Sequence, residues 1–141
     1  MEKITLFTSY FGNSRALAKE DVLMIGISRY PPSWYQGVSM FELAPHSDML
    51  RLSSEEYDKA FQKRVLGVTD RKTILEKIQW FSKHTGKTKI ALCCFEKEQK
   101  ECHRYNVAVW LQEGGIQIEE FKQEVVPETP KVIDTQMSMF D

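Results

Sequence analysis

The chain has 141 residues, of which 42% are hydrophobic and 28% charged, and its formal net charge is −1. This length and balance indicate one soluble globular domain with a real core, and they exclude a protein that attracts nucleic acid through its overall charge. No apolar run approaches the ~20 residues that cross a bilayer, and the start of the chain lacks a signal-peptide layout, so we expect a cytoplasmic protein without membrane contact. Three cysteines in a reducing compartment predict no disulfide.

The first half of the chain contains two strand-like runs and a long connection. Residues 3–10 mix apolar and β-branched side chains, and residues 21–28 form a near-continuous apolar run typical of a strand buried on both faces. Residues 13–19 between them are compatible with a short helix. Residues 29–47 contain three prolines and predict an irregular connection, of a length that is often functional.

The second half alternates helices with strands. Ser53 and Glu56 form a capping box that opens one helix, and a second helix runs from Asp70 as N-cap to Gly86. We predict a strand over residues 89–95, a helix over 101–112 and an edge strand over 116–121. Strands separated by helices favour a three-layer α/β fold with an open, largely parallel, Rossmann-like sheet. We assign residues 1–123 to this domain and residues 124–141 to a flexible tail.

Polar residues follow three of these strands. In an open α/β sheet ligands bind beyond the carboxyl ends of the strands, so we expect Ser28, Arg29, Glu96, His103 and Arg104 to converge on one rim pocket. Arg29, Arg104 and Ser28 suit anion binding. Glu96 is a candidate general acid or base, and the intrinsic pKa of His103 suits proton transfer near neutrality.

Cys102 precedes His103 and Arg104 at the start of a predicted helix, where a helix N-terminus and an arginine favour a thiolate. The three residues therefore support an anion site, a nucleophile, or both. The alternative is that Cys102 packs as a small apolar residue while Arg104 pairs with Glu96 or Glu101.

Two other features admit a functional and a structural interpretation. Tyr30 and Trp34 suit stacking on a base or sugar, and they are equally suited to pinning the long connection to the domain. Residues 59–89 carry nine basic and two acidic residues, which could hold phosphates, although the solvated faces of two amphipathic helices explain them slightly better.

We expect no metal and no standard cofactor, because adjacent Cys93 and Cys94 point to opposite faces of a strand and no Gly-rich nucleotide loop occurs.

Residues 27–32, Glu56-Tyr57, residues 91–96 and residues 101–104 together resemble the family catalogued as domain of unknown function 488. Its signature is a hydrophobic strand ending in cysteine, an aromatic or small residue and glutamate, followed by a short polar loop and Cys-His-Arg. The resemblance covers about residues 4–121. It implies the fold and a set of site positions, but no reaction; those positions are Ser28, Arg29, Glu96, Cys102, His103 and Arg104.

The last residues, Gln136-Met137-Ser138-Met139-Phe140, resemble the short peptide by which bacterial replication and repair proteins bind the sliding clamp. In that interpretation Met139 and Phe140 enter an apolar pocket while the Gln136 amide binds at its rim. The alternative is that Met139 and Phe140 cover an edge of the protein's own core.

These observations favour a DNA-associated protein that acts on a nucleotide or nucleic acid at a strand-end pocket and is recruited to the sliding clamp by its tail. The alternative is a non-enzymatic adaptor that binds DNA or the clamp and whose pocket holds a regulatory ligand.

Overall fold

The structure is a computed structural model, and it describes residues 3–95 and 103–122. Its five strands are β1 (Thr5–Tyr10), β2 (Val22–Gly26), β3 (Val38–Ser39), β4 (Lys89–Cys94) and β5 (Ile118–Glu120). Its four α-helices are α1 (Ser14–Lys19), α2 (Ser54–Arg64), α3 (Arg71–Thr85) and α4 (His103–Glu113). Among the described residues, no helix is long and apolar enough to cross a membrane.

The strands form one sheet in the order β3-β2-β4-β1-β5, and every neighbouring pair is parallel. The prediction of a largely parallel, Rossmann-like α/β fold is therefore confirmed. β4 lies between β1 and β2, and it pairs with β1 along its whole length. Because the strands are parallel, the carboxyl ends of β1, β2 and β4 lie at the same edge of the sheet.

Two hydrophobic clusters divide the fold into three layers. The larger cluster joins one face of the sheet to α2, α3 and α4, and the smaller one joins the other face to α1. The sequence explains why both faces of the sheet are covered, because the apolar runs of β2 and β4 supply hydrophobic side chains to each face. The face of the sheet to which a residue points therefore decides on which side of the sheet its side chain lies.

Cys93 and Cys94 belong to opposite clusters, as strand alternation predicts. Cys93 is a free, buried thiol, and Cys94 is disulfide-bonded. The expectation of no disulfide is therefore wrong. That expectation was based on a reducing compartment, whereas disulfide formation also depends on which sulfur atoms the fold brings together.

Residues 29–47 are less irregular than expected. Val38 and Ser39 form the short edge strand β3, which pairs with Ile25 and Gly26 of β2, and the Met40 amide donates to the Gly26 carbonyl. A two-residue strand carries no hydrophobic period, so its position depends on the neighbouring strand. The proposed boundary between residues 123 and 124 lies at the end of the described residues and stays a prediction.

Candidate functional site

A cavity of about 580 Å³ lies beyond the carboxyl end of β2. Three segments contribute most of its polar wall: the residues after β2, the first turn of α2 and the first turn of α4. The lining residues are Ser28, Arg29, Tyr30, Pro45, Leu50, Leu52, Ser54, Tyr57, Asp58, Phe95, His103, Tyr105 and Asn106. The structure thus brings Ser28, Arg29, Tyr30 and His103 to one cavity.

Arg29 is held at two points and is half-buried. Its Nε donates to the Pro45 carbonyl over 2.9 Å, and its guanidinium carbon lies 5.6 Å from the centroid of the Phe41 ring. Among the described residues no carboxylate lies within ion-pair distance of it. The side chain is therefore positioned by neutral groups, and its charge is not neutralised by them.

Ser28 precedes Arg29 and is only 6% exposed. Within residues 3–95 and 103–122 its hydroxyl has no hydrogen-bond partner. Buried hydroxyls are normally hydrogen-bonded, because leaving one unpaired costs free energy.

His103 begins α4 and is buried. Its Nε2 lies 2.5 Å from the Ile27 carbonyl oxygen, and its ring centroid lies 5.2 Å from that of Phe61. Burial lowers the pKa of His103 to about 4, so the imidazole is neutral at pH 7 and Nε2 donates to the carbonyl. The sequence alone suggested proton transfer near neutrality, but this environment makes the ring a weak base and suits it to hydrogen bonding.

Arg104 does not line the cavity. It is fully buried, with Nε and Nη2 donating to the two carboxylate oxygens of Glu120 over 3.0 and 2.9 Å, and Nη1 lies 3.1 Å from the Cys94 sulfur. The Thr8 hydroxyl also donates to Glu120, over 2.7 Å. This network joins α4 to β1, β4 and β5, so anion binding by Arg104 would require the ion pair to open.

The two aromatic candidates differ in position. Tyr30 lines the cavity and is 60% exposed, whereas Trp34 is 55% exposed and lies outside the lining. The long connection is anchored instead by Tyr35, whose hydroxyl contacts the Val38 and Met24 carbonyls at 2.5 and 3.1 Å. Tyr35 therefore supplies the anchoring that the sequence left open for Tyr30 and Trp34.

Several predicted site residues cannot be placed. Glu96, Cys102 and the peptide from Gln136 to Phe140 lie outside the described residues. In the part of the chain that is described, no group of three or more His, Cys, Asp or Glu side chains is arranged to hold a metal ion.

The fold also uses polar residues that the sequence patterns did not predict, among them Asn106, Asp58 and Glu120. Asn106 donates to Asp58 over 3.3 Å and joins α4 to α2 at the cavity. Asn106 follows His103 by three residues, so helical spacing places both on one face. Glu120 follows Ile118 by two residues, so the strand period places it on the buried face that holds Arg104.

Residues 8–115 match the protein-family model described as the active DUF488-N3 subclade. The chain belongs to this family. Neither a curated protein nor a solved structure gives a significant match to it. The DUF488-N3 match includes every residue that lines the cavity, and it ends before β5 and Glu120.

Proposed function

We propose that the protein acts on a nucleotide or nucleic acid in the strand-end cavity and that its C-terminal peptide recruits it to the sliding clamp. One observation carries the first part. Arg29 has no carboxylate partner among the described residues, and it lines the same cavity as the buried Ser28 hydroxyl, for which those residues supply no hydrogen-bond partner. A cavity of about 580 Å³ lies within the range for small-molecule sites.

The chemistry of the wall supports an anionic ligand. Nε of Arg29 is already bonded to Pro45, so its terminal nitrogens supply a fork that matches a phosphate or carboxylate. The first turns of α2 and α4 also line the cavity, and helix N-termini favour negative charge. Among the described residues Asp58 is the one acidic side chain of the lining, and it accepts a hydrogen bond from Asn106.

The apolar wall supports a ligand with an aromatic ring. Tyr30, Tyr57 and Phe95 line the cavity beside the polar groups, and Tyr30 and Phe95 are each more than half exposed. Ring faces next to a cation suit a base attached to a phosphate. This combination favours a nucleotide over a simple inorganic anion.

In this proposal Arg29 and Ser28 hold the phosphate, and His103 donates a fixed hydrogen bond that orients the β2 end. Glu96 is proposed as general acid or base on the sequence pattern alone. The description of the family as active supports a reaction. The second reading is an adaptor whose cavity binds a regulatory ligand without turnover.

Calorimetric titration with thymidine monophosphate and with inorganic phosphate tests the cavity. Arg29→Gln should lower nucleotide affinity at least tenfold, because a charge-assisted bidentate contact is lost. Arg15→Gln, an exposed arginine on α1, is the matched control and should bind as the native chain does. Equal affinity for the two variants would contradict the proposal.

A turnover assay distinguishes an enzyme from a binding adaptor. The native chain is incubated with nucleotides and with short DNA strands, and the products are measured by mass spectrometry. Product that disappears in Glu96→Gln supports catalysis with Glu96 as acid or base. Binding without product supports the adaptor.

The clamp proposal depends on the sequence Gln136 to Phe140 and on the chemistry of short recognition peptides. A peptide of residues 130–141 should bind purified sliding clamp with an affinity on the order of micromolar, because it buries little area and is ordered on binding. No binding at high micromolar peptide would reject the recruitment.

A further inference from the structure

We infer that the ligand of this site is a single-stranded nucleic acid rather than a free mononucleotide. The inference rests on the proposed function, and the observation behind it is an aromatic rim next to the cavity. The rim consists of Tyr30, Trp34 and Phe95, which are 60%, 55% and 51% exposed.

The rim continues past the cavity. Phe95 lines the cavity, and its ring centroid lies 5.5 Å from that of the buried Phe11. Phe11 in turn lies 6.4 Å from Trp34, in an edge-to-face arrangement. Trp34 is therefore one ring away from the cavity, at a place that a ligand confined to the cavity does not reach.

Trp34 contacts Phe11 and Tyr35 edge-to-face, but the hydrogen bonds that hold this loop come from its neighbour Tyr35. Tyr35 binds two carbonyls and packs 4.9 Å from Phe11, which fixes the connection from the inner side. Large exposed aromatic groups next to a cavity are typical of interaction sites. Because every base has a flat apolar face, such rings bind successive bases of a strand with little sequence preference.

The charges of the described residues favour a short single strand over a duplex. Arg29 supplies one cation at the rim. Four basic residues of the 59–89 segment pair with acidic residues elsewhere in the fold: Arg64 with Asp48, Arg71 with Glu113, Lys77 with Glu42 and Lys87 with Asp21. A duplex hides its base faces in the stack, whereas a single strand exposes them to the rings of the rim.

The length of the ligand tests this inference. Binding of thymidine monophosphate and of thymidine strands of two, four and eight nucleotides is measured by competition against a labelled strand. The native chain should bind the four-nucleotide strand about tenfold more tightly than the mononucleotide, because one or two further bases stack on the rim. Trp34→Ala should remove that gain and leave mononucleotide affinity unchanged.

The chain offers a matched control. Trp80 lies on α3 and is 55% exposed, as Trp34 is, but it lies outside the rim and the cavity lining. Trp80→Ala should keep the full dependence on length. Trp34→Phe should restore most of the gain, because it keeps an aromatic face.

Failure of the inference differs from failure of the proposed function. If the mononucleotide binds and longer strands bind no tighter, or if Trp34→Ala and Trp80→Ala behave alike, the single-strand inference is overturned and the cavity proposal stands. If a hairpin duplex competes as well as the single strand, the inference is also overturned. If neither mononucleotide nor strand binds, both proposals fail.

Discussion

A single buried arginine joins four elements of this fold. Arg104 is fully buried and pairs with both carboxylate oxygens of Glu120, whose side chain is 24% exposed. Removing one partner of a buried pair leaves a charge without compensation, and this loss is larger than the net stabilisation that the pair contributes. The network matters for function because Arg104 follows His103 and fixes the start of α4 at the cavity.

We predict that Glu120→Gln lowers the free energy of unfolding by about 2 kcal/mol, which is below the usual cost for a fully buried pair because Glu120 is partly solvated. Urea denaturation measures the change. Glu119→Gln, on the exposed side of the same strand, is the control and should change stability by less than about 0.5 kcal/mol. Equal effects of the two variants would show that Arg104 does not depend on this carboxylate.

His103 makes stability depend on pH. Its folded-state pKa of about 4 lies below the 6.5 of an ordinary histidine, because burial disfavours the charged ring. The unfolded chain therefore takes up a proton more readily than the folded chain as pH falls. The contribution of the neutral His103 ring to the free energy of unfolding is complete above pH 6.5 and is lost as the pH falls toward 4.

We predict that the free energy of unfolding falls by up to about 3 kcal/mol between pH 7 and pH 4 through this residue. His103→Gln should flatten the profile in that window, and unfolding in urea at several pH values measures it. A slope that is the same in the variant and in the native chain would contradict the assignment. A histidine ring signal that is absent from the variant and titrates well below pH 6.5 in the native chain provides a second readout.

Helix caps fix the start of α2, which lines the cavity, and the start of α3, which does not. The Ser53 hydroxyl accepts from the Glu56 amide over 3.3 Å, and the Asp70 carboxylate accepts from the Thr73 amide over 3.1 Å, so both caps that the sequence predicted are present. We predict that Ser53→Ala and Asp70→Ala each lower the free energy of unfolding by about 1 kcal/mol. Only Ser53→Ala should also weaken nucleotide binding, because α2 borders the cavity and α3 does not. Loss of binding in both variants would indicate a general effect of stability.

At the scale of elements, the features that could be predicted from the sequence are those that depend on local patterns. The apolar runs of β2 and β4, the two caps and Gly86 at the end of α3 all act through neighbouring residues, and Gly86 takes the left-handed conformation that favours glycine. β3 was missed because two residues carry no period. The partner of Arg104 was missed because the nearby Glu96 and Glu101 were considered, whereas Glu120 lies 16 residues away in a strand predicted from its alternating pattern.

At the scale of the whole molecule, the parallel sheet explains why three of the predicted site residues lie close together. Strand ends meet at one edge, so Ser28, Arg29 and His103 reach the same cavity although they belong to distant segments. The rotation of α4 decides that His103 lines the cavity while Arg104 faces the sheet, and the apolar spacing of the helix already indicates that rotation. Val107, Ala108 and Leu111 lie on the buried face of α4, and their spacing includes Arg104.

The division between domain and tail gives the last prediction. The two hydrophobic clusters of the described structure reach their last member at Phe121, so removal of residues 124–141 should leave the melting temperature and nucleotide binding unchanged. The truncated chain should no longer bind the sliding clamp.

In the full chain, replacing Met139 and Phe140 with alanine should abolish clamp binding, because the apolar pair supplies most of the buried area, whereas Thr135→Ala should not. Melting curves and clamp titrations on the same samples make the test, since a large melting loss in the Met139 and Phe140 variant would mean that these residues cover the domain's own core.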